Sequence, residues 1–271
     1  MARNRTRKSA RRRAKDLPGL GWKPALPDHR DRPYATLRHS SERVRRLPAH
    51  VDLRSGFPPV YNQGNLNACT AHVIAAAFEF DRRQKKLPDF MPSRLFIYWN
   101  ERDMEGATAH DHGANIRDGI KVWAKQGLCE ETHWPYKVSR FARKPPKACY
   151  RNALRYEKVN YYFLDNADLD ELKSCLAAGY PFLFGYGIWE SFFNSDDNGG
   201  IVSMPEDDEP IVGGHAVLGV GYSDRSKRFI IRSSWGTARG DEGHYYMPYN
   251  YVTNAALTGR FWTIRTVPRT R

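Results

Sequence analysis

The pattern of apolar and polar positions along the chain changes at about residue 156. Before that point, apolar residues recur every three or four positions, which is the spacing of a helix with one buried face. Helices are predicted over residues 69–80, over a stretch that Pro92 and Ser93 open, and over residues 115–125, where Gly127 follows as a C-cap.

After residue 156 the chain consists of short β-rich runs separated by turn-forming residues, with one helical insert at residues 169–176. A helical half joined to a strand-rich half is typical of the α+β class, so we expect two subdomains with a cleft between them. Strands are predicted at residues 156–163, 180–188, 215–222, 228–233, 244–247 and 260–266.

The first 48 residues follow neither pattern. Residues 1–15 hold eight lysines and arginines and no acidic residue, and the net charge of +13 less these eight leaves +5 for the remainder. That composition is typical of a disordered basic arm. In residues 16–48, five prolines interrupt helix and sheet hydrogen bonding, so we expect an extended segment without elements of its own. The rest divides into a helical subdomain, residues 49–155, and a β-rich subdomain, residues 156–271.

Length and composition set further limits. At 271 residues and 41% hydrophobic residues, the chain can form one large domain or two small domains that share a cleft. It shows neither an apolar run long enough for a membrane helix nor a signal peptide. We therefore expect synthesis in the cytoplasm, with any export by a route that needs no signal peptide, and we expect a monomer.

The four cysteines include no Cys-x-x-Cys pair. A cytoplasmic chain of this size favours free thiols over disulfides. We interpret Cys129, Cys149 and Cys175 as structural thiols.

Three residues that are distant in the sequence would together support acyl transfer. Cys69 opens the first predicted helix, and the positive end of a helix favours thiolate over thiol. His215 would hold and then deliver a proton, while Gln63 and the Cys69 N–H would bind the developing oxyanion. Ser233 can accept a hydrogen bond from His215 and fix its tautomer, and Trp235 can shield that contact from water. We expect no metal and no cofactor.

Other histidines have simpler interpretations. His72 lies one helical turn after Cys69 and is a second candidate for the base, but a core histidine is the favoured interpretation. His110 and His112 alternate without a further ligand in view, so a surface loop is favoured over a metal site.

These residues stand in blocks whose order along the chain resembles that of the papain-like cysteine peptidases, of bacterial type. The resemblance covers about residues 48–266 and implies a papain-like fold, in which a helical subdomain and an antiparallel, barrel-like β-subdomain flank the active-site cleft. It also implies hydrolysis of peptide or protein substrates through a Cys69 thiolate and a His215 imidazolium. The blocks are Asn62-Gln63-Gly64, Cys69, residues 127–136, Gly214-His215-Ala216-Val217 and Ser234-Trp235-Gly236-Thr237.

The resemblance further implies how substrate would lie in the cleft. Gly113 and Ala114 fall where the family binds substrate backbone through β-type hydrogen bonds. Substrate contacts are also expected from Trp235 and from residues that would line the main specificity pocket, namely Asn115, Ile116 and Ala216.

Departures from the family pattern leave an alternative open. Leu66 and Asp111 replace both cysteines of a family disulfide, which fits a reducing compartment. Ser233 replaces the family's asparagine, and Thr70 follows the nucleophile in place of tryptophan. Ser233 and Thr70 favour a weak or inactive papain-fold binding protein whose basic arm engages anionic partners. The presence of Gln63, Cys69 and His215 in the family's order favours the enzyme.

The N-terminal residues have two further interpretations. Residues 16–48 sit where the family carries an inhibitory pro-segment, although they are too few for its helical pro-domain. We expect this segment to cross part of the cleft and limit access. The basic arm before it is expected to be a solvated tail, with weak binding to nucleic acid or another polyanion as the alternative.

Overall fold

The computed structural model describes residues 18–38, 46–156 and 159–266, so the basic arm predicted at residues 1–15 lies outside the described residues. The helices are α1 (Ala35–Arg38), α2 (Cys69–Gln84), α3 (Arg94–Met104), α4 (Ile116–Gln126), α5 (Lys147–Ala153), α6 (Leu169–Ala177) and α7 (Tyr249–Val252). The strands are β1 (His50–Asp52), β2 (Val159–Leu164), β3 (Phe182–Trp189), β4 (Ile211–Ser223), β5 (Arg228–Arg232), β6 (His244–Pro248) and β7 (Phe261–Thr266).

The long helices begin where the sequence predicts them. The side chains of Ser93 and Asn115 cap α3 and α4 by accepting hydrogen bonds from backbone N–H groups in the first turn of each helix. Gly127 ends α4 with a φ of +76°, a backbone conformation that favours glycine. The helix α2 starts at Cys69 as expected and runs four residues beyond the predicted end, to Gln84.

The strands form one antiparallel sheet in the order β2-β7-β3-β4-β5-β6, with β1 also paired to β4. The α+β class is therefore confirmed. The sequence pattern places residues 50–52 in the helical half, but as β1 they pair with the far end of β4. A three-residue strand carries too little pattern to be recognised without its partner.

Two apolar cores lie on opposite sides of this sheet. One core joins α2, through Ile74 and Phe78, to β4, through Leu218 and Val220. The other core packs α6 and aromatic side chains such as Phe184 against the opposite face. Because β4 contributes to both cores, its backbone is fixed against the start of α2.

The N-terminal segment contains one element that its prolines do not predict. Residues 16–48 are expected to form no element, yet Ala35–Arg38 form the single helical turn α1, which begins two residues after Pro33, where no proline interrupts the chain.

No helix within the described ranges combines the length and the apolar character needed to cross a membrane.

Candidate active site

Cys69 is the first residue of α2, and its side chain is fully buried. Its backbone N–H has no acceptor inside the helix, because the first turn precedes the i−4 hydrogen-bonding pattern. Burial raises the pKa of the Cys69 thiol to about 11, although N–H groups of Ala216 and Gly21 donate hydrogen bonds to it and lower that pKa. The Ala216 contact places the residue after His215 directly beside the sulfur.

His215 lies in β4 and is held from two sides. Its Nε2 is 3.0 Å from the Ser233 hydroxyl, and its ring stacks on Trp235 with ring centroids 4.0 Å apart. Its Nδ1 is buried and has no hydrogen-bond partner within the part of the chain that the structure describes. Burial, with a smaller contribution from the neighbouring His72, lowers the pKa of His215 to about 3. With both side chains buried, Cys69 and His215 are therefore both neutral at neutral pH.

Gln63 is fixed so that its side-chain N–H group faces a peptide carbonyl. Its Nε2 donates to the carbonyl oxygens of Leu66, at 2.8 Å, and Gly19, at 3.0 Å. Its Oε1 accepts a hydrogen bond from the Ser234 hydroxyl at 2.6 Å, which sets the orientation of the amide. The Gly19 carbonyl oxygen thus accepts a hydrogen bond that the Gln63 side chain could otherwise donate to another oxygen in the cleft.

Residues 18–23, which we call the strap, run between the two halves of the molecule and cover Cys69. The Trp22 N–H donates to the Gly214 carbonyl at 3.0 Å, and the Lys23 N–H donates to the Ala114 carbonyl at 2.9 Å. In return, the Ala114 N–H donates to the Gly21 carbonyl at 2.9 Å. The strap is thereby paired in parallel with backbone on both walls of the cleft.

Gly113 and Ala114, which the family resemblance predicts to bind substrate backbone, both contact the strap. A Cβ atom at Gly113 would lie 1.8 Å from the Gly21 carbonyl oxygen, and Gly113 has a φ of +72°. Close approach of the two backbones therefore requires glycine at this position.

The Trp22 side chain fills a slot whose walls are glycines. A Cβ atom at Gly185 would lie 1.9 Å from the indole ring, and one at Gly259 would lie 2.3 Å from it. Neither glycine is identifiable from the sequence, because an isolated glycine in a strand pattern gives no sign of what approaches it. Strap residues Gly19, Gly21 and Trp22 likewise carry no local signal that marks them as site residues.

The other predicted pocket residues have mixed placements. Ala216 lies beside the Cys69 sulfur. Ile116 is buried in the core shared by α2 and β4. The Asn115 side chain caps α4 and also donates to Glu105, at 3.2 Å. Roles for Asn115 and Ile116 in substrate binding stay predictions.

His72 is confirmed as a core histidine. It is 1% exposed, and its Nδ1 lies 2.8 Å from the Ala68 carbonyl oxygen. The rings of Tyr61 and Tyr136 pack edge-on against it. Burial lowers the pKa of His72 to about 3, so this side chain stays neutral at neutral pH.

Asp111 supports the loop before Cys69. Its carboxylate accepts hydrogen bonds from the Asn67 N–H, at 3.1 Å, and from the Tyr98 hydroxyl. Hydrogen bonds thus connect two segments that a disulfide would join in the family pattern. Across the described ranges, no group of three histidine, cysteine or acidic side chains is placed to hold a metal ion. All four cysteines are free and buried.

Thr70 contacts a buried acid that the sequence does not reveal. Its hydroxyl donates to Glu101 at 2.8 Å, and both side chains are fully buried. Burial raises the pKa of Glu101 to about 8, so its protonated form predominates at neutral pH. Thr70 therefore serves packing and hydrogen bonding beneath the cleft.

Residues 47–259 match the family profile described as papain family cysteine protease. Among solved structures, the chain is similar to xylellain, a cysteine protease from Xylella fastidiosa, with a TM-score of 0.85 and 41% identity. That match covers 93% of this chain and 97% of xylellain. The similarity to digestive procathepsin L 3 of Tenebrio molitor, at 18% identity and a TM-score of 0.64, concerns the fold alone.

Two curated relatives are also similar to this chain in sequence. A peptidase C1-like protein of Acanthamoeba polyphaga mimivirus is 41% identical over 215 residues, which are 76% of this chain and 69% of the viral protein. Peptidase 1 of Euroglyphus maynei is 27% identical over 220 residues. This chain spans 62% of the length of that second relative, so the relative is the longer protein.

Proposed function

Since the chain belongs to the papain family of cysteine proteases, with a papain-like fold, we propose that Cys69 is its nucleophile and that His215 is its proton shuttle. The observation that carries the proposal is the position of the strap. Its main chain donates an N–H to the Cys69 sulfur and offers a carbonyl to Gln63. The cleft is thus already shaped to hold peptide backbone against these groups.

The proposed reaction begins when a substrate replaces the strap. Entry of water and substrate relieves the burial that keeps the pair neutral, so the Cys69 proton passes to His215. The thiolate attacks the substrate carbonyl carbon, and Gln63 Nε2 with the Cys69 N–H stabilises the oxyanion. His215 then protonates the leaving amine, and water hydrolyses the acyl-enzyme to regenerate the thiol.

We propose that the strap limits access to this site. Cys69 and His215 are completely buried with the strap in place, and the strap occupies hydrogen-bonding groups on both walls of the cleft. A substrate must displace the strap before it can reach the sulfur. The strap therefore acts as an intramolecular competitor of substrate.

The Trp22 slot supports a substrate preference. A pocket whose walls are glycines leaves room for a large planar side chain, so substrates with a bulky aromatic residue at this subsite should bind best. We expect the Gly185→Val variant, in a chain without the strap, to lose about tenfold or more in kcat/KM for a tryptophan-containing peptide. The same peptide with alanine at that position should be cleaved as well as by the unmodified enzyme. Equal losses for both peptides would contradict the preference.

Ser233 is proposed as a residue that positions His215. Ser233→Ala removes the acceptor for His215 Nε2 and should lower kcat about tenfold, the effect of roughly one hydrogen bond, with little change in KM. Ser233→Thr keeps the hydroxyl and serves as the matched variant. Steady-state kinetics on a fluorogenic peptide would measure both, and a Ser233→Ala enzyme with unchanged kcat would exclude the positioning role.

Thr70 and Ser233, the two residues that favour an inactive binding protein, both have hydrogen-bonding roles around the cleft. Thr70 donates a hydrogen bond to Glu101, and Ser233 lies within hydrogen-bond distance of His215. Neither residue takes the place of Cys69 or Gln63. Peptidase activity is therefore the function that the geometry supports best.

The deciding experiment measures the reactivity of the Cys69 thiol and the peptidase activity on the same sample. The chain without residues 1–27 is incubated with a thiol-directed epoxysuccinyl peptide, and its intact mass and its hydrolysis of an unfolded protein are recorded. A single adduct, mapped to Cys69, together with hydrolysis is the expected result. Absence of both the adduct and hydrolysis, from a deleted chain that still unfolds in one cooperative transition, would refute the proposed function.

A further inference from the structure

The N-terminal segment has three parts that pack differently. The strap, residues 18–23, lies in the cleft. Residues 24–27, the linker, connect it to residues 28–38, which we call the clasp. The clasp lies outside the cleft, on strands and helices of both halves of the molecule.

The clasp extends the sheet at its β2 edge. The Phe163 N–H donates to the Arg32 carbonyl at 2.9 Å, and the Tyr34 N–H donates to the Phe163 carbonyl at 2.8 Å. Pro33, which has no N–H to donate, stands between them in a parallel bridge with Phe163. The Tyr34 side chain is fully buried in the same core as Phe184. Without the clasp, this core and this sheet edge would both be open to water.

Asp31 ties the clasp to two separate elements. Its carboxylate is 3.1 Å from the Arg117 guanidinium on α4 and 3.3 Å from the Arg260 guanidinium next to β7. Asp31 is 9% exposed, and a buried carboxylate of this kind is tolerated because it is paired. Loss of the clasp would leave two arginines without this partner.

The linker makes no such hydrogen bond or ion pair with the residues that the structure describes. Leu26 is 82% exposed, and Pro24 and Pro27 are also exposed. The linker spans an open cavity of about 400 Å³, with Phe163 and Arg260 on the opposite wall. A protease could therefore reach this stretch without unfolding either neighbour.

We infer that the clasp is a permanent part of the catalytic domain and that the linker is the processing site that releases the strap. Hydrolysis of one linker peptide bond consumes one water, leaving a carboxylate on the strap and a new amine on the clasp side. Residues 28–38 then stay with the active enzyme, although the family match begins only at residue 47. The inference rests on the proposed function only in that the cleft must be emptied.

Limited proteolysis of the full-length Cys69→Ala protein tests this inference. A broad-specificity serine protease is added at a low ratio of protease to protein. The folded fraction is isolated by native gel filtration, and its intact mass is measured. Apart from cuts in the predicted basic arm, residues 1–15, we expect the first cut within residues 24–27 and recovery of residues 28–38 with the folded domain. A folded domain that lacks residues 28–38 and keeps its melting temperature would overturn the inference. Because an external protease makes the cut, failure of the proposed peptidase chemistry would not affect this result.

A point variant in the full chain gives an independent measurement. Tyr34→Ala leaves a cavity in the core and should lower the melting temperature by about 10 °C. Leu26→Ala, in the exposed linker, is the matched control and should melt within about one degree of the unmodified protein. If Tyr34→Ala melts like the control, the clasp contributes nothing to the domain and the inference is wrong.

Discussion

Replacing Cys69 by alanine is expected to lower kcat/KM for peptide hydrolysis by about 10⁴-fold or more, because no other group can form the acyl-enzyme. The measurement belongs in the chain without residues 1–27, where the strap does not limit access. The fold should be retained, since alanine keeps the helical start of α2 and removes only a sulfur atom. Hydrolysis of a fluorogenic peptide and the melting temperature would be recorded on the same preparation.

A matched control exists elsewhere in the chain. Cys149 is also fully buried and free, but it lies in α5, away from the strap. Cys149→Ala should keep full activity and full labelling by the epoxysuccinyl peptide. If Cys69→Ala retained activity comparable to that of Cys149→Ala, a different residue would have to be the nucleophile.

Deleting residues 1–27 is expected to raise the rate of Cys69 labelling by about 100-fold. Labelling of the full chain proceeds only through the fraction of molecules in which the strap is out of the cleft. A net preference of about 2.7 kcal/mol for the closed state, which a few backbone hydrogen bonds and one half-buried tryptophan can supply, keeps that fraction near one per cent. The rate of adduct formation, followed by intact mass, measures the change directly.

The end point of this deletion matters. A cut after residue 48 would also remove Tyr34 and Asp31, which are buried in the folded domain, so a loss of activity could reflect unfolding. Deletion to residue 27 removes only the strap, the linker and the residues before them. Trp22→Ala in the full chain should raise the labelling rate about tenfold through lost burial, and Leu26→Ala should not change it. Equal labelling of full-length and deleted chains would show that the strap does not inhibit.

The elements that sequence patterns predict well are long or have distinctive ends. The helix at Cys69 shows a sustained apolar run, and α4 has Asn115 at its start and Gly127 at its end. Most elements that the patterns miss, such as β1 and α7, are three or four residues long, although the seven-residue α5 is missed as well. Such short segments carry too few positions to show a period, and they form because a partner is already in place.

The site residues divide in the same way, into those with a local sequence signal and those that depend on tertiary contacts. Gln63, Cys69, His215 and Ser233 belong to short local motifs whose chemistry can be read from the residues themselves. The strap contacts, the Trp22 slot and the buried acid beneath Thr70 could not be predicted, because each depends on which backbone approaches which glycine or cavity. The two glycines of the Trp22 slot are more than 70 positions apart, yet both lie against the same indole ring.

By itself, the sequence determined the helix that begins at Cys69, the α+β class and the set of polar side chains that could perform acyl transfer. These follow from local periodicity and from residue chemistry, which act over a few neighbouring positions. Only the tertiary structure decided that the first part of the N-terminal segment fills the cleft while residues 28–38 complete the sheet and the core. That division depends on burial and hydrogen bonding between residues that are over 100 positions apart, such as Tyr34 and Phe163, and no local pattern encodes those contacts.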